Sequence, residues 1–207
     1  MNATSPDGRP AVVVLASGTG SLLAAIIDAT SAPNFPARIT GVVVDRDCRA
    51  AELAGAAGIE LRRCVVADHA DRTAWDAALT DVVADLGADL VVTAGFMKIL
   101  GRAFLDRFAG RVINSHPALL PSFPGAHAVR DALAHGVKVT GATVHLVDDG
   151  VDTGPILAQA PVMIDDTDDE ISLHDRIKTV ERVLLVQVIA SFVTRAVVSE
   201  GRKVRFS

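Results

Sequence analysis

The sequence predicts an α/β protein built as a single domain, with a mostly parallel sheet, flanking helices, an antiparallel hairpin in the C-terminal part and a long C-terminal helix. Three observations support this fold class. Short apolar runs, typical of strands buried on both faces, alternate with helical patterns in the first half of the chain. The stretch from Val139 to Ile164 alternates apolar and polar residues about a Gly/Asp-rich turn. The stretch from Asp169 to Val197 keeps helical spacing.

Length and composition exclude several classes of protein. At 207 residues the chain is long enough for one sizeable core. Half of its residues are apolar and 22% are charged, as in an ordinary globular protein. The net charge of -5 and scattered Lys and Arg argue against a nucleic-acid partner. No apolar run reaches the roughly 18 to 20 residues that a membrane span needs, so no membrane partner is expected.

The cysteines and the N-terminus predict a cytoplasmic protein without a metal. Cys48 and Cys64 lie far apart, with no CxxC motif or paired histidine nearby. Reduced thiols are therefore expected rather than a zinc site. The N-terminal MNATSPDGRP lacks the charged and apolar blocks of a secretory signal.

The first predicted strand, Ala11 to Ala16, leads into a glycine turn, Ser17 to Ser21, and then into a helix. Such a Rossmann-like unit places free backbone N–H groups at the positive end of a helix, where an anion such as phosphate binds. Gly18 and Gly20 match the first two positions of the dinucleotide fingerprint, but Leu23 stands at the third. A mononucleotide phosphate is therefore favoured over a dinucleotide, and a turn that binds nothing stays open.

Five further segments continue the alternation. They are a strand at Ile39 to Asp45, a helix at Arg49 to Ala57, a short strand at Glu60 to Val66, a helix at His69 to Leu86, and a strand within Ala88 to Leu100 that runs into a turn at Gly95 and the start of an apolar helix. Asp45 ends its strand where a dehydrogenase would hold a ribose, but the missing third glycine favours a solvated loop acid. Trp75 and Leu79, four residues apart, are expected to be core neighbours.

The stretch VINSHPALLPSFP, Val112 to Pro124, is the strongest local indication of a functional site. Its β-branched start suits the end of a buried strand, which would deliver Asn114, Ser115 and His116 into a loop stiffened by prolines. Asparagine supplies an amide donor, and histidine titrates near neutral pH. A lone loop histidine is more often structural, but the nearby asparagine and a converging acid favour a functional one.

Three loops are expected to meet at one edge of the sheet. In parallel sheets, ligands bind beyond the carboxyl ends of the strands. The loops at Ser17 to Ser21, Gly95 to Leu100 and Asn114 to Pro124 each follow a predicted strand. Their convergence would form a site.

The second half of the chain supplies acids and a long helix. After a helix at Gly125 to His135, the hairpin turn holds three aspartates, each of which more often caps its own backbone than binds a ligand. These aspartates lack the spacing of a calcium loop. The last helix is expected to bury one side and to pair two charges on its surface. The three sets are Asp148, Asp149 and Asp152 in the turn; Ile171, Ile177, Val180, Leu184 and Val188 on the buried side; and Lys178 with Glu181 as the surface pair.

Five stretches of the sequence resemble the glycinamide ribonucleotide formyltransferases, the folate-dependent enzymes of purine synthesis. They are VVVLASGTGSLLAAIIDA, AGFMKIL, VINSHPALLPSFPGAH, HLVDDGVDTGPI and IKTVE, in the family's order along nearly the whole chain. The resemblance implies transfer of a formyl group from 10-formyltetrahydrofolate to glycinamide ribonucleotide, no metal, and small-molecule partners, and it leaves a homodimer open. It also implies that residues 10–110 form the half that binds the substrate phosphate and residues 111–207 the catalytic and folate-binding half.

The resemblance carries the family's functional positions onto this chain. Catalytic positions fall on Asn114, His116 and Asp152. Substrate-binding positions fall on Gly18, Thr19, Gly20, Ser21, Lys178 and Glu181. Folate-binding positions fall on Arg72, Met97, Lys98, Ile99, Leu100, Val147, Asp148, Asp149 and Gly150. The chain departs from the family pattern at Leu22, where Asn is common, and at Lys98, where Arg is common.

The expected chemistry explains the catalytic residue types. When an amine attacks a formyl carbon, negative charge gathers on the carbonyl oxygen, and hydrogen-bond donors must be in place. We expect Asn114 and a protonated His116 to donate, with Asp152 favouring the charged imidazole and taking the amine's proton directly or through water. His145 is an outlying candidate for a residue behind the site.

Other functions remain open on the sequence alone. Methionyl-tRNA formyltransferases share the Asn/His/Asp core but carry a C-terminal domain and bind RNA, for which this acidic chain is expected to have no room. Formyltetrahydrofolate hydrolases share the core, usually with an N-terminal regulatory domain, which is not expected here. A nicotinamide-binding oxidoreductase or a non-catalytic nucleotide-binding module would explain the glycine turn, but neither requires the three catalytic positions together.

Overall fold

The computed structural model describes residues Gly8 to Ser207 and divides into two compact units, Met1–Ile113 and Asn114–Ser207. The prediction that the N-terminus carries no secretory signal rests mostly on residues 1–7, which lie outside the described part. The boundary between the units falls within strand β5, Val112–His116.

The first unit has the predicted alternation of strands and helices. Its strand order is β3-β2-β1-β4, and the three neighbouring pairs are parallel. The strands are β1 (Ala11–Ala16), β2 (Arg38–Val44), β3 (Leu61–Arg63) and β4 (Leu90–Thr93). The helices are α1 (Ser21–Thr30), α2 (Arg49–Ala56), α3 (Arg72–Asp85) and α4 (Arg102–Arg107), with a short 3-10 turn at Val66–Asp68.

The core of the first unit lies around β1, which is buried along its whole length because apolar side chains cover both faces of a parallel sheet. Trp75 and Leu79 are fully buried, so their predicted place in the core is confirmed. The indole Nε1 of Trp75 donates to the backbone O of Cys64 at 3.1 Å, which satisfies the only polar group of this side chain.

The second unit holds the predicted hairpin and the long helix. Strands β6 (Val139–Leu146) and β7 (Ile156–Met163) pair antiparallel, as predicted. Helix α5 (Ala128–His135) precedes them, and α6 (Glu170–Thr194) follows. Asp169 caps α6 through a reciprocal capping box with Ser172. Two strands that the sequence did not predict, β8 (Val197–Glu200) and β9 (Lys203–Phe206), form an antiparallel pair, and β9 lies parallel to β7.

Helix α5 begins at Ala128, where Gly125 had been expected, and β3 is shorter than predicted; two further corrections of element boundaries lie closer to the predicted site. Residues 96–100 form no helix after Gly95; α4 begins only at Arg102, where a cluster of backbone N–H groups is capped by Asp76. Strand β5 runs through His116, whereas a loop had been expected from Asn114 onward.

The structure also corrects the surface of α6. Ile171 is 74% exposed and does not belong to the buried side, because it lies two residues from the buried Leu173 and therefore on the opposite face of the helix. Glu181 is buried and does not form a surface pair with Lys178, whose ammonium lies 3.3 Å from Asp175 instead.

Membrane-spanning helices and metal-binding groups can be assessed for the described residues only. Within Gly8 to Ser207, no helix is both long and apolar enough to cross a membrane. The same residues hold no group of three or more side chains placed to bind a metal ion, and both cysteines are free thiols.

Candidate active site

Strand β5 places its polar side chains on two faces, because successive side chains of a strand point in opposite directions. Asn114 and His116 share one face, and Ser115 points to the other. On that second face the hydroxyl of Ser115 donates to Oε1 of Glu181 on α6 at 2.8 Å. The strand therefore carries two predicted catalytic residues on one face, and on the other it binds Glu181, a residue of the predicted substrate site.

The turn between β6 and β7 brings Asp152 to the same face. Asp152 has a left-handed backbone with φ of 55°, uncommon for a residue with a side chain, so its surroundings must fix it. Gly154 allows the turn to close, since a Cβ there would lie 1.7 Å from the backbone O of Leu146. Asp148 accepts from the backbone N of Gly150 and the hydroxyl of Thr153, confirming the interpretation of this aspartate as a turn cap.

The three predicted catalytic residues lie together in the second unit. Oδ2 of Asp152 is 3.3 Å from Nδ1 of His116 and accepts from the backbone N of Gly125 at 2.8 Å. Oδ1 of Asp152 accepts from Nδ2 of Asn114 at 3.4 Å. The imidazole is buried and the carboxylate nearly so, while Asn114 is half-buried. The cluster is thus shielded from water and open at the amide.

His145 is a fourth member of the cluster. Its Nδ1 donates to the backbone O of Leu146 at 2.8 Å, because a carbonyl oxygen can only accept. In the tautomer with its hydrogen on Nδ1 alone, Nε2 is an acceptor, and Nδ2 of Asn114 donates to it at 3.2 Å. This contact fixes which end of the Asn114 amide faces Asp152. The sequence offered only the strand alternation of β6 as a sign of this role.

The protonation state of His116 differs from the prediction. Burial lowers the pKa of the His116 imidazole, and it outweighs the Asp152 carboxylate and the carbonyl of Phe123, which act in the opposite direction. His145 lowers this pKa further. The imidazole is therefore neutral at neutral pH, whereas Asp152 had been expected to keep it charged.

In the neutral His116 ring, only one nitrogen can accept a further proton. Its Nε2 lies 2.8 Å from the carbonyl O of Phe123, so Nε2 carries the hydrogen of the neutral ring. Nδ1 then faces Oδ2 of Asp152 without a hydrogen of its own. A proton that enters the site can be shared between these two atoms.

Asp152 is ionised at neutral pH. Burial alone would raise its pKa, but its hydrogen bonds, among them the one from the backbone N of Gly125, and the two adjacent histidines together lower it to about 2. On its own this carboxylate is a weak proton acceptor, because general-base efficiency needs a pKa closer to the working pH.

Glu181 is a buried acid with one carboxylate oxygen still available. Burial raises its pKa, against the hydrogen bond from Ser115 and the charges of Lys178 and Arg182. Within the described residues, Ser115 is its hydrogen-bond partner and engages Oε1 only. The second oxygen, Oε2, can accept from a substrate hydroxyl.

The glycine turn lies in the first unit and offers backbone donors. Gly18 and Thr19 are exposed, and Gly20 starts α1 with φ of 73°, where no side chain caps the helix. The positive φ favours glycine, and a Cβ there would lie 2.8 Å from the Leu53 side chain and 3.0 Å from the backbone of Ala50 on α2. Leu22 is buried, which means that any phosphate here meets backbone N–H groups in place of an asparagine side chain.

The predicted folate segment after β4 exposes apolar side chains, and the nearby cations are engaged within the protein. Met97 and Ile99 are 66% and 64% exposed, whereas Leu100 is buried. The Lys98 ammonium lies 3.0 Å from Asp45, and Arg72 donates to the backbone O of Ile99 at 2.6 Å.

The structure corrects the interpretation of Asp45. It is 3% exposed and ion-paired, although it had been interpreted as a solvated loop acid.

Two of the three loops expected to converge do so within the first unit. The backbone N of Ser17 donates to the backbone O of Gly95 at 3.3 Å, and the Ser17 hydroxyl accepts from the backbone N of Met97 at 2.9 Å. The loop after β5 belongs to the second unit. There the segment from Val147 to Gly150 is half-buried except for the exposed Asp149.

Comparisons with known proteins give a consistent result. A family model described as formyl transferase matches residues 11–189. Phosphoribosylglycinamide formyltransferase of Mycobacterium tuberculosis is 59% identical over 198 residues, which cover 95% of this chain and 92% of that protein. The trifunctional purine biosynthetic protein adenosine-3 of Drosophila melanogaster is 42% identical over 89% of this chain and 14% of its own length. The crystal structure of glycinamide ribonucleotide transformylase 1 from Symbiobacterium toebii matches with a TM-score of 0.93 and 41% identity, covering 96% of this chain and 94% of that chain.

Proposed function

This chain belongs to the formyl transferase family, and on that premise we propose that Asn114, His116 and Asp152 carry out its reaction. The enzyme transfers the formyl group of 10-formyltetrahydrofolate to the amino group of glycinamide ribonucleotide in purine biosynthesis. The observation that supports the catalytic assignment is the cluster that the half-buried amide of Asn114 and the buried imidazole of His116, on one face of β5, form with the nearly buried carboxylate of Asp152.

The Asn114 amide is the donor for the tetrahedral intermediate. As the amine bonds to the formyl carbon, the carbonyl oxygen becomes negative and needs a hydrogen bond. Both N–H groups of Asn114 are engaged, with His145 at 3.2 Å and with Asp152 at 3.4 Å. The longer bond is weak, so redirecting that N–H to the oxyanion costs little.

The His116–Asp152 pair receives the proton that the amine releases. Nδ1 of His116 is the basic atom, since Nε2 is engaged with Phe123. The protonated imidazole is then an ion pair with Asp152, which stabilises it. The same proton can pass to the folate nitrogen as its bond to the formyl carbon breaks, and the site returns to its starting state.

The substrate contacts are proposals that the resemblance and the geometry support together. The turn at Gly18 to Ser21, exposed at Gly18 and Thr19, suits the phosphate, with Lys178 as a further cation. Oε2 of Glu181 suits a ribose hydroxyl. Formyl-folate is assigned to the nine predicted positions, which are Arg72, Met97, Lys98, Ile99, Leu100, Val147, Asp148, Asp149 and Gly150. A cytoplasmic location, a homodimer and a metal-free reaction stay predictions.

Incubation with 10-formyltetrahydrofolate, with and without glycinamide ribonucleotide, tests the function. We expect tetrahydrofolate and formylated ribonucleotide in equal amounts, and only when the ribonucleotide is present. Release of formate without the amine would indicate a hydrolase. No folate turnover in either arm would indicate a non-catalytic or redox protein.

A further inference from the structure

The segment from Gly95 to Gly101, called the 95–101 loop below, has no regular secondary structure, yet side chains from elsewhere in the first unit fix it at four points. Ser17 accepts from the backbone N of Met97, and Arg72 donates to the backbone O of Ile99. The other two points are an ion pair between Lys98 and Asp45 and a hydrogen bond from the backbone N of Gly101 to Asp76. A loop held in this way is preorganised for a ligand.

Asp45 is the centre of the attachment. Its carboxylate side chain is 1% exposed. Oδ2 lies 3.0 Å from the Lys98 ammonium, and the Arg46 guanidinium donates to both oxygens, at 3.2 and 3.0 Å. The side chain of Ser17 also interacts with it. A buried carboxylate with these partners ties the end of β2 to the loop after β4.

Ser17 extends the attachment to the loop backbone. Its oxygen accepts from the backbone N of Met97 at 2.9 Å, and the same side chain interacts with Asp45. Asp45 therefore fixes both the backbone of Met97, through Ser17, and the side chain of Lys98, directly. Removal of either contact would free part of the loop.

The loop holds apolar side chains outward. Met97 and Ile99 remain largely exposed on a backbone that cannot turn them inward, which is unfavourable unless a ligand covers them. The cation of Lys98, between them in sequence, is turned away to Asp45. The surface that results suits a flat, largely apolar ring system approached by backbone groups.

We propose that Asp45 is a positioning residue for formyl-folate, holding the 95–101 loop through Ser17 and Lys98 so that Met97 and Ile99 contact the ring system of the co-substrate. The Lys98 ammonium acts on the loop through Asp45 and does not contact the co-substrate. This inference rests on the proposed function and adds a residue to it that the family resemblance did not supply.

The variants Asp45→Asn, Lys98→Met and Lys98→Arg test the inference. Steady-state kinetics give the KM of each substrate and kcat, and fluorescence titration with tetrahydrofolate gives a Kd. We expect Asp45→Asn and Lys98→Met to raise the formyl-folate KM and the tetrahydrofolate Kd about tenfold, with the ribonucleotide KM unchanged. Lys98→Arg keeps a cation for the ion pair and should recover most of the affinity that Lys98→Met loses.

Two further variants separate positioning from general damage. Asp106→Asn removes an exposed charge pair with Arg102 on α4 and should change neither constant. Ser17→Ala keeps the Asp45–Lys98 pair and loses the Met97 contact, so it should also raise the formyl-folate KM. It serves as the test if Asp45→Asn does not fold, as judged by its thermal unfolding midpoint.

The double variant Asp45→Asn/Lys98→Met decides how Lys98 acts. If the two residues act as one unit, the double variant should be no worse than the worse single variant. Additive losses, or an Asp45→Asn protein with wild-type formyl-folate KM and tetrahydrofolate Kd, would overturn the inference. The wild-type protein is assayed first. If it turns over no formyl-folate, the proposed function fails, and the variants do not bear on this inference.

Discussion

At the scale of single residues, burial changes what the catalytic histidine and the acids of the second unit can do. His116 is neutral because burial outweighs the adjacent carboxylate, while Asp152 stays ionised through its hydrogen bonds. The pair can therefore accept a proton, whereas a charged imidazole could not. Lys178 and Glu181 differ likewise, one paired with Asp175 near the surface and the other buried against Ser115.

The lowered pKa of His116 predicts the acid limb of the pH profile. The free enzyme needs this imidazole neutral, and kcat/KM falls once it is protonated. Because its pKa lies below the ordinary value of about 6.5, activity should persist below that pH. Measurement of kcat/KM across the acidic range would give a midpoint below about 6.5. A midpoint at or above that value would contradict the assignment of His116 as the acceptor.

The buried carboxylate of Glu181 should lower the stability of the fold at neutral pH while it helps to bind the ribonucleotide. Its pKa is raised by burial, so its folded form favours the proton, and stability is full below the unfolded pKa and declines as pH rises through the folded pKa. Glu181→Gln should therefore raise the thermal unfolding midpoint at neutral pH while it raises the KM for the ribonucleotide. The exposed Glu52→Gln is the control, with neither change expected. A less stable Glu181→Gln protein would argue against this account.

At the scale of elements, side chains distant in sequence decide where helices and turns begin. Helix α4 is only six residues long and starts at Arg102, because Asp76 on α3 accepts from three backbone N–H groups there. A helix of this length has little stability of its own. Its position therefore depends on one buried carboxylate, which belongs to α3 and cannot be recognised from the sequence of α4.

Asp76→Ala should cost more stability than an ordinary helix cap. It leaves the N–H groups of Gly101, Ala103 and Phe104 without their acceptor, and we expect a loss of about 2 to 3 kcal/mol. Asp71→Ala, at the exposed cap of α3, should cost about 1 kcal/mol. Urea unfolding of both variants measures the difference. Equal losses would mean that the capping of α4 is dispensable.

The sequence predicts the elements well where the pattern is local. The strand β1, the hairpin of β6 and β7 and the last helix follow from apolar spacing that each segment contains by itself. The pair β8 and β9 was missed because these strands are short and largely exposed, so their alternation buries almost nothing. The end of β5 was misplaced because its polar residues suggested a loop.

The candidate site was predictable only in part, for the same reason. Asn114 and His116 lie in one motif, and the resemblance located Asp152. Asp45 was interpreted as a solvated acid, Ser115 was given no role of its own, and His145 was only an outlying candidate. Their contacts join residues 53, 66 and 31 positions apart, to Lys98, Glu181 and Asn114 respectively, and no local pattern records such a contact.

At the scale of the whole molecule, each unit contains a buried aspartate that is more acidic than an ordinary carboxyl. Burial would raise the pKa of Asp45 and of Asp152, but their hydrogen bonds and neighbouring charges lower each to about 2. In the unfolded chain both pKa values would be about 3.9. Both groups therefore contribute stability that is present above the unfolded value and lost as pH falls toward the folded one.

The free energy of unfolding should accordingly fall steeply between about pH 4 and pH 2. Urea titrations at several pH values measure it, and Asp45→Asn or Asp152→Asn should each flatten the dependence. An unfolding free energy that stays constant over this range would show that neither carboxylate is held as described.

The most direct test of the catalytic account is the rate of formyl transfer by Asp152→Asn, compared with wild type and with Asp81→Asn, which changes an exposed aspartate on α3. The asparagine removes the carboxylate that shares the transferred proton with His116, so kcat should fall roughly 100-fold or more. Asp81→Asn should keep the wild-type rate. Full turnover by Asp152→Asn would contradict the proposed mechanism.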